Sequence, residues 1–202
     1  YALLSSAPET DDTDFTIKRF ADIVNKDLNG MLGNFVSRVC KLTEKHFGSK
    51  VPPRGQKPIS PELEETINER LKDLTAALND CEFRNAVAAL RALWAAGNEF
   101  ITKTAPWDLV KTDKESAGAT LNECFQLIDF YTRISAPFIP GTAQKMQDIF
   151  PNPESRIPNR DLSWPEKYER RIEDGESFTV PENLFERIDD DKIAAMTSKY
   201  IS

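Results

Sequence analysis

The fold of this protein is decided by residues 15–48, which read FTIKRFADIVNKDLNGMLGNFVSRVCKLTEKHFG. Apolar side chains recur in this stretch at spacings of three and four residues, which is the period of one face of an α-helix. They are Phe20, Val24, Leu28, Met31, Leu32, Phe35, Val39 and Leu42. The pattern predicts one long amphipathic helix, with Asp14 as its N-cap and Gly48 as its end.

Two glycines interrupt this otherwise helical pattern. Gly30 and Gly33 each cost a helix interior about 1 kcal/mol relative to alanine. They therefore predict either close packing against another helix or a break near Asn29 and Gly30.

Four further helices are predicted, each from an apolar repeat that follows a cap residue or a proline. They cover residues 61–78, 82–102, 114–135 and 140–150. The expected core positions of the two longest are Phe83, Val87, Leu90, Trp94 and Ile101, and then Leu121, Phe125, Ile128 and Tyr131. No alternation typical of strands is present, so the expected fold class is all-α, a bundle of about five helices.

Two segments flank the predicted bundle, which covers residues 15–150. Residues 1–14 have the composition of an extended linker, and residues 151–202 form a tail in which five prolines exclude long regular structure. These prolines are Pro151, Pro153, Pro158, Pro165 and Pro181. Aromatic side chains are expected to pin the tail onto the bundle, a strand-like or turn segment is expected near its end, and a short final helix is expected to follow. The residues in these roles are Trp164, Tyr168 and Phe178, then Leu184–Ile188, then Asp190 or Asp191 as the helix cap.

Composition places the chain among ordinary globular proteins. It has 202 residues, of which 40% are hydrophobic and 29% charged, and no apolar stretch is long enough to span a bilayer. Cys40, Cys81 and Cys124 are widely spaced and form no CxxC pair, so a zinc site is not expected. They are predicted to be buried thiols in a reducing cytoplasm.

The sequence offers no catalytic residues and no metal ligands. A glycine-rich phosphate loop, metal-ligand spacing and a Ser/His/Asp set in a suitable context are all lacking. The one histidine, His46, precedes Gly48 and is expected to lie in the last turn of a helix, near the negative end of the helix dipole.

Asn34 and Arg38 are the first candidates for ligand binding. A spacing of four places them one turn apart on one helix face, which Lys41 and Lys45 continue. An amide beside a guanidinium can read the edges of nucleobases, and lysines can hold phosphates. The chain's net charge of −7 argues against a nucleic-acid ligand, although basic residues dominate this part of the helix. Spacing alone favours the simpler interpretation of a solvated polar stripe, which every amphipathic helix has.

Trp107 is the second candidate. It follows Ala105 and Pro106 at a predicted helix end, and lysines flank it at positions 103 and 111. An exposed indole at this place can stack on a base, which contributes about 1–3 kcal/mol. A tryptophan packed into the bundle is the more common situation for this residue type.

Four motifs in chain order resemble the anticodon-binding region of methionyl-tRNA synthetases, which are class I aminoacyl-tRNA synthetases. Residues 25–38, NKDLNGMLGNFVSR, resemble the first helix of that region. Residues 98–107, NEFITKTAPW, resemble its Asn…Ala-Pro-Trp signature, and residues 133–140, RISAPFIP, its Pro-x-x-Pro helix junction. Residues 184–188, LFERI, are similar to its closing segment, and residues 1–15 to the exit from the catalytic domain.

The resemblance implies a function. The family joins methionine to its tRNA with ATP and magnesium, in a catalytic domain whose motifs are expected upstream of this sequence. Trp107 would stack on the cytosine of the CAU anticodon, and Asn34 and Arg38 would bind base edges. The resemblance implies nothing for Lys41 and Lys45, whose expected role at phosphates comes from their place on the same helix face. Asn98 would fix the loop that carries Trp107.

Partners and alternatives follow from the same resemblance. The expected partners are methionine tRNA and the protein's own catalytic domain, with no membrane contact, in a cytoplasmic monomer. Two alternatives remain at this stage. One is the corresponding domain of a related class I synthetase, for valine, leucine, isoleucine or cysteine, and the other is a non-enzymatic helical interaction domain.

Overall fold

The computed structural model describes residues 1–9, 14–55, 60–151 and 162–200. Within these ranges the chain is helical, with a single isolated β-bridge between Lys50 and Ser177 in place of any sheet. This confirms the predicted all-α class. The helices are α1 Ala2–Ser5, α2 Ile17–Ile23, a π-helical segment Val24–Gly33, α3 Asn34–Phe47, α4 Pro61–Asn79, α5 Phe83–Thr104, α6 Pro106–Thr112, α7 Lys114–Ser135, α8 Pro140–Gln147 and α9 Asp190–Tyr200.

The predicted long helix is present but is not uniform. It begins at Ile17 rather than after Asp14, because the Thr16 side chain accepts the N–H of Arg19 at 3.1 Å and serves as the N-cap. Gly48 ends it with a φ of 77°, as predicted.

The middle of that helix, over ten residues, is a π-helix instead of an α-helix. A Cβ on Gly33 would lie 3.2 Å from the Phe185 ring, so the glycine allows a close approach of the tail. Close packing is therefore confirmed at Gly33, but the partner is the tail and not another helix. At Gly30 the nearest atom is the Asn25 carbonyl oxygen of the same segment, 3.2 Å from where a Cβ would lie.

Helix α7 forms the centre of the bundle, because every residue of it from Leu121 to Ser135 is buried. Its predicted spine is fully enclosed, and Asp113 caps it by accepting the N–H of Ser116. Gly97 of α5 touches it most closely: a Cβ there would lie 2.5 Å from the Tyr131 hydroxyl, which donates to the Leu93 carbonyl. Of the predicted core of α5, only Phe83 is not fully buried.

The tail is pinned to the bundle by the predicted aromatic residues. Tyr168 and Phe178 are buried, and the Trp164 indole donates to the Thr75 hydroxyl at 3.1 Å. Gln126 holds the tail at its centre, since its amide both donates to the carbonyl of Ile172 and accepts the N–H of the same residue. The predicted prolines at 153 and 158 lie outside the described residues.

Two predictions at the chain ends are corrected, and a third is narrowed to one of its two forms. The start of the predicted linker contains helix α1, and the Tyr1 ring stacks on Trp94 with centroids 5.6 Å apart. Residues 184–188 form no strand; the chain bends at Leu184 and Phe185, which leaves the turn-like form of the prediction. The last helix is capped by Asp189, whose carboxylate accepts the N–H of Lys192, rather than by Asp190 or Asp191.

The cysteines are only partly as predicted. Cys40 and Cys124 are fully buried, but Cys81 is exposed in the turn between α4 and α5, where its φ is 60°. Burial raises the pKa of Cys40 to about 12, with a smaller contribution from Glu44, and raises the pKa of Cys124 well above its usual value.

These environments predict selective thiol chemistry. We expect a thiol reagent such as 5,5′-dithiobis(2-nitrobenzoate) to label one of the three cysteines of the native chain quickly, and Cys81→Ser to abolish that fast phase. Labelling of all three is expected only after unfolding in urea. Fast reaction of a second thiol in the Cys81→Ser variant would contradict this assignment.

No helix in the described ranges combines the length and the apolar character that crossing a bilayer requires.

Candidate nucleic-acid interface

Arg38 and Trp107, which are 69 positions apart in the chain, meet on the surface of the bundle. The guanidinium carbon of Arg38 lies 4.9 Å from the centre of the Trp107 ring, within the range of a cation–π contact. Both side chains are half-buried, so the indole is neither enclosed in the core nor turned away from Arg38.

The turn between α5 and α6 places Trp107 in this position. Ala105 adopts the left-handed conformation with a φ of 43°, which redirects the chain, and Pro106 then occupies the first position of α6. Trp107 thus lies in the first turn of a new helix beside α3. The sequence had predicted only that helix α5 ends at this point.

Asn34, Lys41 and Lys45 lie on the same helix as Arg38. Asn34 is exposed at the first position of α3, directly after the π-helical segment, and the two lysines are exposed further along. Among the described residues, no carboxylate lies within ion-pair distance of Arg38 or of either lysine. These cations are therefore able to bind an anionic ligand without first giving up a partner in that part of the chain.

Asn98 is structural, as predicted, but its contacts differ from the prediction. Its amide donates to the Trp94 carbonyl at 2.9 Å and to the Met31 carbonyl at 3.3 Å. It therefore ties α5 to the π-helical segment rather than holding the loop that carries Trp107.

The π-helical segment is held in place from both ends of the chain. The carboxylate of Asp27 accepts the Tyr1 hydroxyl at 3.2 Å and pairs with Arg91 at 3.2 Å. Burial, together with the Asp27 charge, raises the pKa of the Tyr1 hydroxyl well above its usual range. From the tail, Ile188 is held by Asn25, whose amide donates to its carbonyl at 2.7 Å and accepts its N–H at 2.9 Å.

A pocket that the sequence did not predict lies beside Asn34, with a volume of about 200 Å³. One wall is helical and the other is the tail segment 181–184. Its lining residues are Asn29, Gly33, Asn34, Ser37, Pro181, Glu182, Asn183 and Leu184. The spacing of Asn29, Gly33 and Ser37 indicates a shared face, but no local signal in the sequence places the tail opposite that face. π-helical turns are rare and often occur at functional sites.

Comparisons with known proteins agree with this architecture. The family model described as the anticodon binding domain of methionyl tRNA ligase matches residues 51–202, and the model of class I tRNA synthetases (M) matches residues 1–40. The apo methionyl-tRNA synthetase of Mycobacterium tuberculosis has the same fold, with a TM-score of 0.79 at 20% identity, covering 94% of this chain and 38% of that one.

Curated relatives carry the same family name. The methionine–tRNA ligase of Caulobacter sp. (strain K31) is 39% identical over 98% of this chain and 35% of its own length. That of Cereibacter sphaeroides (strain KD131 / KCTC 12085) is 42% identical over 98% of this chain and 34% of its own length. The chain belongs to the family of anticodon-binding domains of methionyl-tRNA ligases, and it spans about a third of the length of the relatives it matches.

Proposed function

We propose that this chain reads the CAU anticodon of methionine tRNA, as a domain of an enzyme that joins methionine to that tRNA. The observation that carries the proposal is the contact between Arg38 and Trp107, with Asn34 one turn away on the same helix. An aromatic face, a forked cation and an amide are the groups with which proteins bind unpaired bases.

Each of these side chains has a distinct role in the proposed complex. The accessible part of the Trp107 ring stacks on the first anticodon base, which contributes about 1–3 kcal/mol. Asn34 and Arg38 donate hydrogen bonds to base edges, and Asn34 can also accept one. Lys41 and Lys45 neutralise phosphates along α3, which supplies affinity without sequence information.

The proposed enzyme performs its chemistry outside this chain. ATP and magnesium act in a catalytic domain, and the chain itself contributes recognition of the tRNA. Its proposed partners are therefore methionine tRNA and that catalytic domain, in a monomer located in the cytoplasm.

A footprint on the full-length enzyme tests the proposal. With methionine tRNA, we expect protection of the three anticodon nucleotides from single-strand-specific nuclease. The control is the same tRNA with its anticodon replaced, which should lose this protection at equal enzyme concentration. Protection confined to the acceptor end with both tRNAs would contradict the proposal and would favour a helical interaction domain.

The other class I synthetases are not favoured as alternatives, because the family model and the curated relatives are specific to methionine.

A further inference from the structure

The pocket beside Asn34 has the chemistry of a base-binding site rather than of a phosphate site. Its polar lining residues are Asn29, Asn34 and Asn183, whose side chains carry amides, Ser37 with a hydroxyl, and Glu182 with a carboxylate. These groups offer both donors and acceptors, as base edges require. The Glu182 carboxylate repels a phosphate but accepts hydrogen bonds from amino or imino groups.

The size of the pocket also suits a base. Its volume of about 200 Å³ is several times the ~30 Å³ share of one water molecule, so the pocket has room for a group of several heavy atoms. Asn34 lines the pocket and lies one turn from Arg38, which contacts Trp107. A nucleotide in the pocket is therefore close to a nucleotide stacked on Trp107.

The outer wall of the pocket is held by a contact outside it. Residues 181–184 lead into Phe185, which packs against Gly33, and then into Ile188, which Asn25 holds by two hydrogen bonds. On the other side, the N–H of Thr179 donates to the Ile149 carbonyl at 2.8 Å. The position of the wall relative to Asn34 thus depends on Asn25, which does not line the pocket.

We propose that the pocket between α3 and residues 181–184 binds a second unpaired base of the loop whose first base stacks on Trp107, and that Asn25 is a positioning residue for it. This inference rests on the proposed function. It makes the tail part of the RNA site, whereas the sequence predicts for residues 151–202 only packing on the bundle and toward the catalytic domain.

Filling the pocket is the first test. In the full-length enzyme, Ser37→Leu is expected to raise KM for methionine tRNA roughly tenfold. It should also remove the enzyme's discrimination at one anticodon position other than the first, measured with tRNAs substituted at each position in turn. Ser198→Leu, the same change at an exposed site on α9, is the matched control and should leave KM and discrimination unchanged. Unaltered discrimination at all positions in Ser37→Leu, with normal ATP–pyrophosphate exchange, would overturn the proposal.

Releasing the wall is the second test. Asn25→Ala should lower discrimination at the same position as Ser37→Leu, and the double variant should be no worse than Ser37→Leu alone. Gln126→Ala is the control, because Gln126 makes the same pair of hydrogen bonds to Ile172 far from the pocket. It should lower thermal stability without changing discrimination. An equal loss of discrimination in both variants would reduce Asn25 to a stabilising residue and overturn its positioning role.

The proposed function and the base-binding role of the pocket can be disproved separately. If Trp107→Ala raises KM for tRNA but Ser37→Leu changes nothing, the pocket is not a base site and the proposed function stands. If neither variant changes KM for methionine tRNA, the proposed function itself is wrong, and the pocket proposal fails with it.

Discussion

Replacement of Trp107 by alanine is expected to lower kcat/KM for the charging of methionine tRNA by about 5- to 150-fold. This range corresponds to the 1–3 kcal/mol that stacking of one base on an aromatic side chain contributes. The variant also removes the ring that Arg38 contacts at 4.9 Å, so the guanidinium loses its support. ATP–pyrophosphate exchange should remain unchanged in the full-length enzyme, because amino-acid activation does not involve the anticodon.

The comparison that isolates recognition from folding uses a second tryptophan. Trp164 is also half-buried, and its indole holds the tail through Thr75. Trp164→Ala should lower thermal stability but leave KM for tRNA within about twofold of the parent. Arg38→Ala should behave like Trp107→Ala. A parallel loss of exchange and charging in Trp107→Ala would mean that the ring supports the fold and does not bind RNA.

Replacement of Glu123 by alanine is expected to give the largest loss of stability, about 3 kcal/mol or more of the free energy of unfolding. Its carboxylate is fully buried on α7 and accepts the Tyr168 hydroxyl at 2.7 Å and the Arg170 guanidinium at 3.0 Å. The substitution leaves the buried Tyr168 hydroxyl without its acceptor, and it leaves Arg170 with Glu64 as its remaining carboxylate. Removing one partner of a buried ion pair costs about 3–5 kcal/mol. Urea denaturation of the 202-residue chain, followed by circular dichroism, measures this loss.

The matched variant is Glu64→Ala. Glu64 pairs with the same guanidinium at 3.1 Å, but its side chain is 44% exposed, so its loss should cost no more than about 1 kcal/mol. Similar costs for Glu64→Ala and Glu123→Ala would show that burial of Glu123 is not what makes its contacts strong.

The pH dependence of stability should reveal the same carboxyl group. Burial raises the pKa of Glu123 above its ordinary value of 4.5, against the opposing hydrogen bonds from Tyr168 and Arg170. A group whose folded pKa is raised stabilises the fold most below its unfolded pKa, and this contribution is lost as the pH rises through the folded pKa. The free energy of unfolding of the unsubstituted chain should therefore fall relative to that of Glu123→Gln as the pH rises above about 4.5. A difference between the two that does not vary with pH would contradict the raised pKa.

Helices and core were predictable because their causes are local. The apolar period of α5 and α7 places Leu90, Trp94, Phe125 and Tyr131 inside, and all four are buried. Asp113 caps α7 as its residue type predicts. Such local patterns predict the folded structure well, because the bundle buries the apolar faces that the sequence already defines.

The features missed in the first long helix and in the tail have a different cause, which is contact between distant residues. The π-helical segment is contacted by Asn98 of α5 and, through its own Asn25, by Ile188 of the tail, and a window of neighbouring residues does not contain these two partners. The wall of the pocket was missed for the same reason. Cys81 was assigned to the core by residue type, although its turn between two helices exposes it.

The candidate site was predicted in part. The spacing of Asn34 and Arg38 predicted that they share one helix face, and both lie on α3 four residues apart. Spacing alone, however, favoured a solvated polar stripe over a binding site. The proximity of Trp107 to Arg38 came from the resemblance and not from any periodicity. Binding of RNA by these residues stays a prediction.

The two hydrogen bonds of Asn25 to Ile188 span 163 positions of the chain, and this has a consequence for biosynthesis. A ribosome releases the amino-terminal part of a protein first, and contacts between distant residues form only after both have emerged. The helix that carries Asn34 can form early, but the tail can dock on it only after residue 188 has been translated. The pocket beside Asn34, one wall of which is residues 181–184 of the tail, can therefore form only after residue 188 has emerged.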